Sequence, residues 1–164
     1  MKRATFIIFL VLFSLEVTFT QTGAPKFESY AVNSVYNGKN AKPIITKKDR
    51  MFRTRIKWAA EGKRDFAGEY VFVQFGCGMA CRGTFALNAR TGRVTWLPFS
   101  LCCWDPIDAD PVAFKLNSRL LAIRGLRNEG TDSFANDKAS DVHFYELKNG
   151  SFKFIKTVHS ERSQ

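Results

Sequence analysis

Histidine is scarce in this chain, and acidic residues are outnumbered. His143 and His159 are the only two histidines in 164 residues. So little imidazole leaves few ways to build a metal centre or a general base. Beyond residue 20 there is no second long apolar run, so no transmembrane span is expected in the mature chain. Asp and Glu number 15 against 25 Lys and Arg, a formal net charge of +10. Cysteine is limited to four residues, Cys77, Cys81, Cys102 and Cys103.

What is present begins with an export signal. Met1-Lys2-Arg3 is a positive start, and Ala4 to Phe19 is nearly all apolar, with Ser14, Glu16 and Thr18 as polar breaks in its second half. These are the n-region and h-region of a secretory signal peptide. A bilayer span needs ~20 apolar residues, more than lie before Glu16. Cleavage is expected near Thr20, with Thr18 and Thr20 as small flanking residues, which makes the product periplasmic or secreted. A cut nearer Ala24 would place Pro25 beside the scissile bond. The remaining ~140 residues fit one domain, and 16 phenylalanines can fill its core.

Residues 21–45 are polar, basic and punctuated by Pro and Gly, and read as an extended lead-in. A single β-rich domain is expected over 46–159, with a frayed tail at 160–164. Thr46 and Asp49 form a capping-box pattern. Met51, Phe52, Ile56, Ala59 and Ala60 then recur at helical spacing, and Gly62 ends the helix. From Tyr70 the pattern turns to strands. Tyr70–Phe75, Arg82–Asn88, Arg93–Pro98, Val112–Leu116, Arg119–Arg124, Val142–Leu147 and Phe152–Val158 are rich in β-branched and aromatic residues. Phe99–Trp104 is a further apolar run. Ala89-Arg90-Thr91-Gly92, Asn117-Ser118 and Asn149-Gly150 mark hairpins, the last most clearly. Residues 126–141 read as a polar loop. The fold class expected is mainly β with a minor α component. It is an antiparallel meander or small sandwich of about seven strands, with one N-terminal amphipathic helix. A propeller would need at least four four-stranded blades, and the chain is too short for it.

An even cysteine count in an exported chain reads first as two disulfides. A Cys102–Cys103 ring would be strained, so Cys77 and Cys81 are each expected to reach across to one member of that pair. Zinc fits poorly, because C-x3-C plus adjacent cysteines is not knuckle spacing. A catalytic thiolate at Gly76-Cys77-Gly78-Met79-Ala80-Cys81 would need a base nearby. Only His143 and His159 are available, with Asp65, Glu69 or Asp141 to orient them, and no spacing links these residues. Asp105, Asp108 and Asp110 cluster in one loop, and Asp132, Asp137 and Asp141 in another. Neither has calcium-loop spacing, and both read as solvated loops. Asp65 and Glu69 form no evident glycosidase pair. No metal and no cofactor is expected.

The basic charge is uneven. Lys47, Lys48, Arg50, Arg53, Arg55, Lys57, Lys63 and Arg64 crowd the helix and its flanks, with only Asp49, Glu61 and Asp65 among them. Such a patch attracts anionic partners at long range. Outside the cytoplasm these are an anionic envelope polymer or an acidic protein. Nucleic acid fits the charge, and Phe52 and Trp58 could stack bases, but export makes it less available and no recognition motif is present.

Several segments occur together in a fixed order. They are Asp65-Phe66-Ala67-Gly68-Glu69-Tyr70, Gly76-Cys77-Gly78-Met79-Ala80-Cys81, Thr91-Gly92-Arg93-Val94, Leu97-Pro98-Phe99, Cys102-Cys103-Trp104, Ser118-Arg119-Leu120-Leu121 and Arg127-Asn128-Glu129. In this order they resemble a group of small exported bacterial proteins of unassigned function. The resemblance spans residues 50–158 and implies export and a shared fold. It implies no activity. The group carries a histidine at the position of Glu69, which argues against a catalytic role there.

A non-enzymatic envelope or secreted protein that binds an anionic partner fits these features. One version is an inhibitor or immunity protein of an acidic toxin, whose charge would complement this basic chain. An enzyme with a reactive cysteine at the Cys77–Cys81 turn is the alternative. It requires a reduced thiol with a base within hydrogen-bond reach.

Overall fold

In a computed structural model of the chain, residues 23–78, 81–104, 110–128 and 137–159 are described. The expected signal peptide and frayed tail lie outside them, as do Met79, Ala80, Asp105, Asp108 and Asp132. Short 3₁₀ helices cover Phe27–Tyr30 and Lys47–Phe52, and helix α1 spans Arg53–Glu61. Nine strands follow: β1 Tyr70–Gly78, β2 Cys81–Asn88, β3 Val94–Trp96, β4 Ser100–Cys102, β5 Val112–Phe114, β6 Leu120–Arg124, β7 Leu126–Asn128, β8 Val142–Lys148 and β9 Ser151–Val158. Among the described residues no helix is long and apolar enough to cross a membrane.

The strands form two antiparallel sheets. One runs β1-β2-β4-β7 with β3 also paired to β2, and the other runs β5-β6-β8-β9. Period-two alternation explains why both faces of each sheet are apolar. In β1, Tyr70 and Phe72 point between the sheets, while Val71 and Phe75 point outward under α1. In β6, Leu121 and Ile123 point inward, and Leu120 and Ala122 outward. The inner layer holds Phe66, whose ring meets Phe72 and Phe114 edge-on at 5.5 and 5.9 Å. Each large side chain buried this way contributes about 1.5–3 kcal/mol.

The lead-in docks on the domain as a strap. Phe27 and Tyr30 cover the outer face of the second sheet over Leu120, Ala122 and Phe144. Backbone bonds then tie it along its length: Val32 N to Asn117 O (3.0 Å), Tyr36 N to Gly68 O (2.9 Å), Ala41 N to Ala89 O (2.7 Å) and Ile44 N to Gly92 O (2.8 Å). The layers are therefore helix, sheet, sheet and strap.

Three expectations change. The described residues hold nine strands, because the Phe99–Trp104 run yields β4 and part of the expected polar loop yields β7. β7 is too short and polar to carry a strand signal, and it forms by pairing Leu126 with Cys102 and Asn128 with Ser100. The chain does not run as one meander. It passes from the first sheet to β5 and β6, returns as β7, and leaves again as β8 and β9. Met51 is not on the buried face: it is 87% exposed. The 3₁₀ turn advances ~120° per residue, and this rotates Met51 away from the core.

Candidate functional site

The basic face is set by Asp49. Its carboxylate is 1% exposed and accepts hydrogen bonds from Thr46 N (2.8 Å), Thr46 Oγ1 and Trp96 Nε1 (2.8 Å). Burial disfavours its charge, but these bonds outweigh burial and hold the carboxyl below its ordinary value. Ile56 and Ala59 then pack with Phe52 and Ala60 on Val71, Phe75, Phe85, Leu87 and Trp96. The opposite side of α1 must face water.

On that side lie Lys47, Lys48, Arg50, Arg53, Arg55 and Lys57, all exposed, with Lys63 just beyond. Between them stand Met51 and Trp58, the latter 65% exposed. Among the described residues, Lys47, Lys48, Arg50, Arg53, Lys57 and Lys63 form no ion pair. The acids nearby do little to offset them. Asp49 is buried, and Asp65 accepts a 2.8 Å bond from Phe72 N. Only Glu61 is exposed. Arg64 does not belong to this open face. It is half-buried and donates to Gly38 O (3.0 Å) and Asn40 Oδ1 (2.6 Å). Arg55 leans over the Phe75 ring at 5.2 Å.

A cavity of about 590 Å³ adjoins this face, with Lys48, Thr46, Arg93, Thr91 and Thr95 in its wall. Sequence reasoning missed it, because its lining comes from separate segments brought together only by folding.

The cysteines share one corner of the first sheet. Cys77 and Cys81 are disulfide-bonded, with Cα atoms 5.1 Å apart. This corrects the expectation that each would bridge to Cys102 or Cys103. Gly76 and Gly78 let the end of β1 curl, and Gly78 adopts φ +139°, so two cysteines four residues apart can meet. Cys102 is a buried thiol and Cys103 an exposed one. Burial, and then Cys103, push the Cys102 thiol up to about 12. Cys81 nevertheless sits directly opposite Cys102 across the β2–β4 pair. Beside them is a cleft of about 490 Å³ walled by Gly76, Gly78, Cys81, Arg82 and Trp104.

The histidines are not at this turn. His143 is fully buried in β8. Its Nε2 lies 2.8 Å from Gly125 O and so carries the proton, while Nδ1 accepts from Thr157 Oγ1 at 2.8 Å. Burial, and then the Arg127 charge, lower its pKa from the ordinary value. His159 is exposed, with Nδ1 3.1 Å from Asp141 Oδ1.

The acids expected in a solvated loop are partly internal. Asp137 is 5% exposed and binds Arg127 at 2.8 Å through both oxygens, and Asp141 is fully buried. Asp110 pairs with Arg82 at 3.4 Å. Glu69 is held by Asn88 Nδ2 (2.8 Å) and Arg90 Nε (2.9 Å). Among the described residues, no group of three or more His, Cys, Asp or Glu is placed to hold a metal ion. No family model, no curated protein and no solved structure matches the chain.

Proposed function

We propose that this is an exported, disulfide-stabilised protein without catalytic activity, which binds an anionic partner through the outer face of α1 and the turn before it. The partner is an anionic envelope polymer or an acidic protein. One observation carries this reading: six exposed cations with no ion pair among the described residues lie on α1 and its flanks, along with the exposed Trp58 and Met51. Unpaired cations raise the rate and salt sensitivity of encounter. An exposed Trp beside Arg residues is the side-chain set that anchors interfaces.

The test is a titration of the full chain with polyphosphate, an acidic polysaccharide and a polyglutamate peptide at low and high salt. Binding should weaken steeply with salt. The triple variant R50E/R53E/K57E should bind at least ~10-fold more weakly, since surface charge dominates such encounters. Equal binding by this variant would remove the face as the site.

A cysteine-dependent enzyme is the second reading, favoured by the cleft beside Cys81. It lacks support from a base, because both nitrogens of His143 are engaged elsewhere.

A further inference from the structure

The four cysteines form two pairs that differ in bonding and in burial. Cys77 and Cys81 share a disulfide; Cys102 and Cys103 are thiols. Residues directly opposite in an antiparallel pair project their side chains to the same face of the sheet. The register Cys81↔Cys102 therefore places a thiol alongside one sulfur of an existing bridge. Opposite residues in such a pair have Cα atoms ~4.5–5.5 Å apart, within the range a disulfide spans. The chain turns immediately after: Cys103 has φ +55°, a left-handed conformation unusual for a residue with a side chain. At the other end, Cys77 is exposed at the tip of β1 and Cys81 lines the cleft.

We infer that this corner is a thiol–disulfide exchange site, in which Cys102 can displace Cys77 from the bridge to Cys81. The Cys102 thiolate attacks Sγ of Cys81. A Cys81–Cys102 bond forms as the Cys77–Cys81 bond breaks, and the electron pair leaves on Cys77. The proton given up by Cys102 ends on Cys77. The two forms have equal mass and oxidation state, so no oxidant or reductant is consumed. They differ in what they join. The resting bridge closes a short turn within one hairpin, whereas the exchanged bridge links β2 to β4. The exchanged form also presents Cys77 as an exposed thiol at the tip of β1, open to an external thiol or disulfide. The buried, protonated Cys102 keeps the resting form in place until the corner opens.

Trypsin cuts after Arg82, so the resting bridge stays within one peptide, and Cys81–Cys102 joins two. The full chain would be incubated with a catalytic amount of reduced glutathione, quenched by alkylation, digested and analysed by mass spectrometry. The joined peptide should accumulate in the wild type and in Cys103→Ser, and be lost in Cys102→Ser. Persistence in Cys102→Ser with loss in Cys103→Ser would overturn the assignment of the nucleophile. A second variant, Cys77→Ser, frees Cys81. With oxidised glutathione it should form the joined peptide through Cys102. Separate glutathione adducts on Cys81 and Cys102, with no joined peptide in any form, would refute the exchange.

Discussion

The carboxylate of Asp49 accepts a 2.8 Å hydrogen bond from the Trp96 indole, 47 residues further along the chain. The same carboxylate takes the Thr46 backbone N–H at 2.8 Å. One buried group thus starts the helical segment and fastens it to the first sheet. Asp49→Ala removes the cap and leaves a half-buried indole N–H unpaired. The expected cost is about 2–4 kcal/mol, the sum of a lost cap and an unsatisfied donor. Urea unfolding monitored by circular dichroism checks it. Trp96→Phe keeps the cap and should cost less than Asp49→Ala.

The Asp49 carboxyl also has a defined pH signature. Its folded pKa lies below the ordinary 3.8. Its contribution is therefore complete above that value and is lost as pH falls through the lower folded value. Asp49→Asn should flatten the acid limb of the stability profile below pH ~4 and leave the neutral region unchanged in slope.

His143 predicts a different window. Its pKa is lowered from 6.5, so the folded chain resists protonation where the unfolded chain accepts it. Stability should fall as pH drops below ~6.5 and level off only beneath the folded value. Denaturation midpoints between pH 7 and pH 5 would show the slope. A flat profile over that range would contradict a neutral buried imidazole. Arg127→Met removes a charge that lowers the His143 pKa and leaves Asp137, which raises it, so the imidazole should titrate higher by NMR.

Arg127 and Asp137 meet with side chains only 15% and 5% exposed. Breaking such a pair from one side strands a buried charge. Arg127→Ala should cost about 3–5 kcal/mol, while removing both partners together should cost less than the sum of the single changes. A double-mutant cycle in urea measures the difference.

Gly68 has φ +77°, and a Cβ there would lie 2.6 Å from Ser34 O in the strap. Gly68→Ala should destabilise by about 1–3 kcal/mol and make the strap the first segment cut in limited proteolysis. Cleavage starting elsewhere would mean that the strap is not held through this contact.

The features legible in the sequence were the local ones. Asn149 and Gly150 announce a hairpin because the turn needs left-handed φ at both positions, and they adopt +52° and +69°. The Thr46/Asp49 box marks the helical start correctly. The charges of the basic face can be counted in the sequence, but the exposure of Met51 depends on a 3₁₀ turn that helical spacing alone does not reveal. β7 owes its existence to β4, so three ordinary residues carry no mark of it. The cysteine corner shows the same limit. Cysteine spacing suggests bridges from Cys77 and Cys81 to the Cys102-Cys103 pair, and although Cys81 faces Cys102, no such bridge forms. The bond itself goes to Cys77, because glycines on either side of that residue allow a tight curl.

The strap has a consequence for the order in which the chain can fold. Its segment is made early, yet its partners come much later: Gly68, Ala89 and Gly92 for its second half, and Asn117, Ser118 and Arg119 for its first. The partners of its second half are made by residue 92, whereas those of its first half are not made until residues 117–119. Closing such long loops is slow relative to local pairing. The second half of the strap can therefore dock once the first sheet's hairpin has formed, while its first half waits for the Asn117–Arg119 turn of the second sheet, so one continuous segment ties together sheets that form at different times.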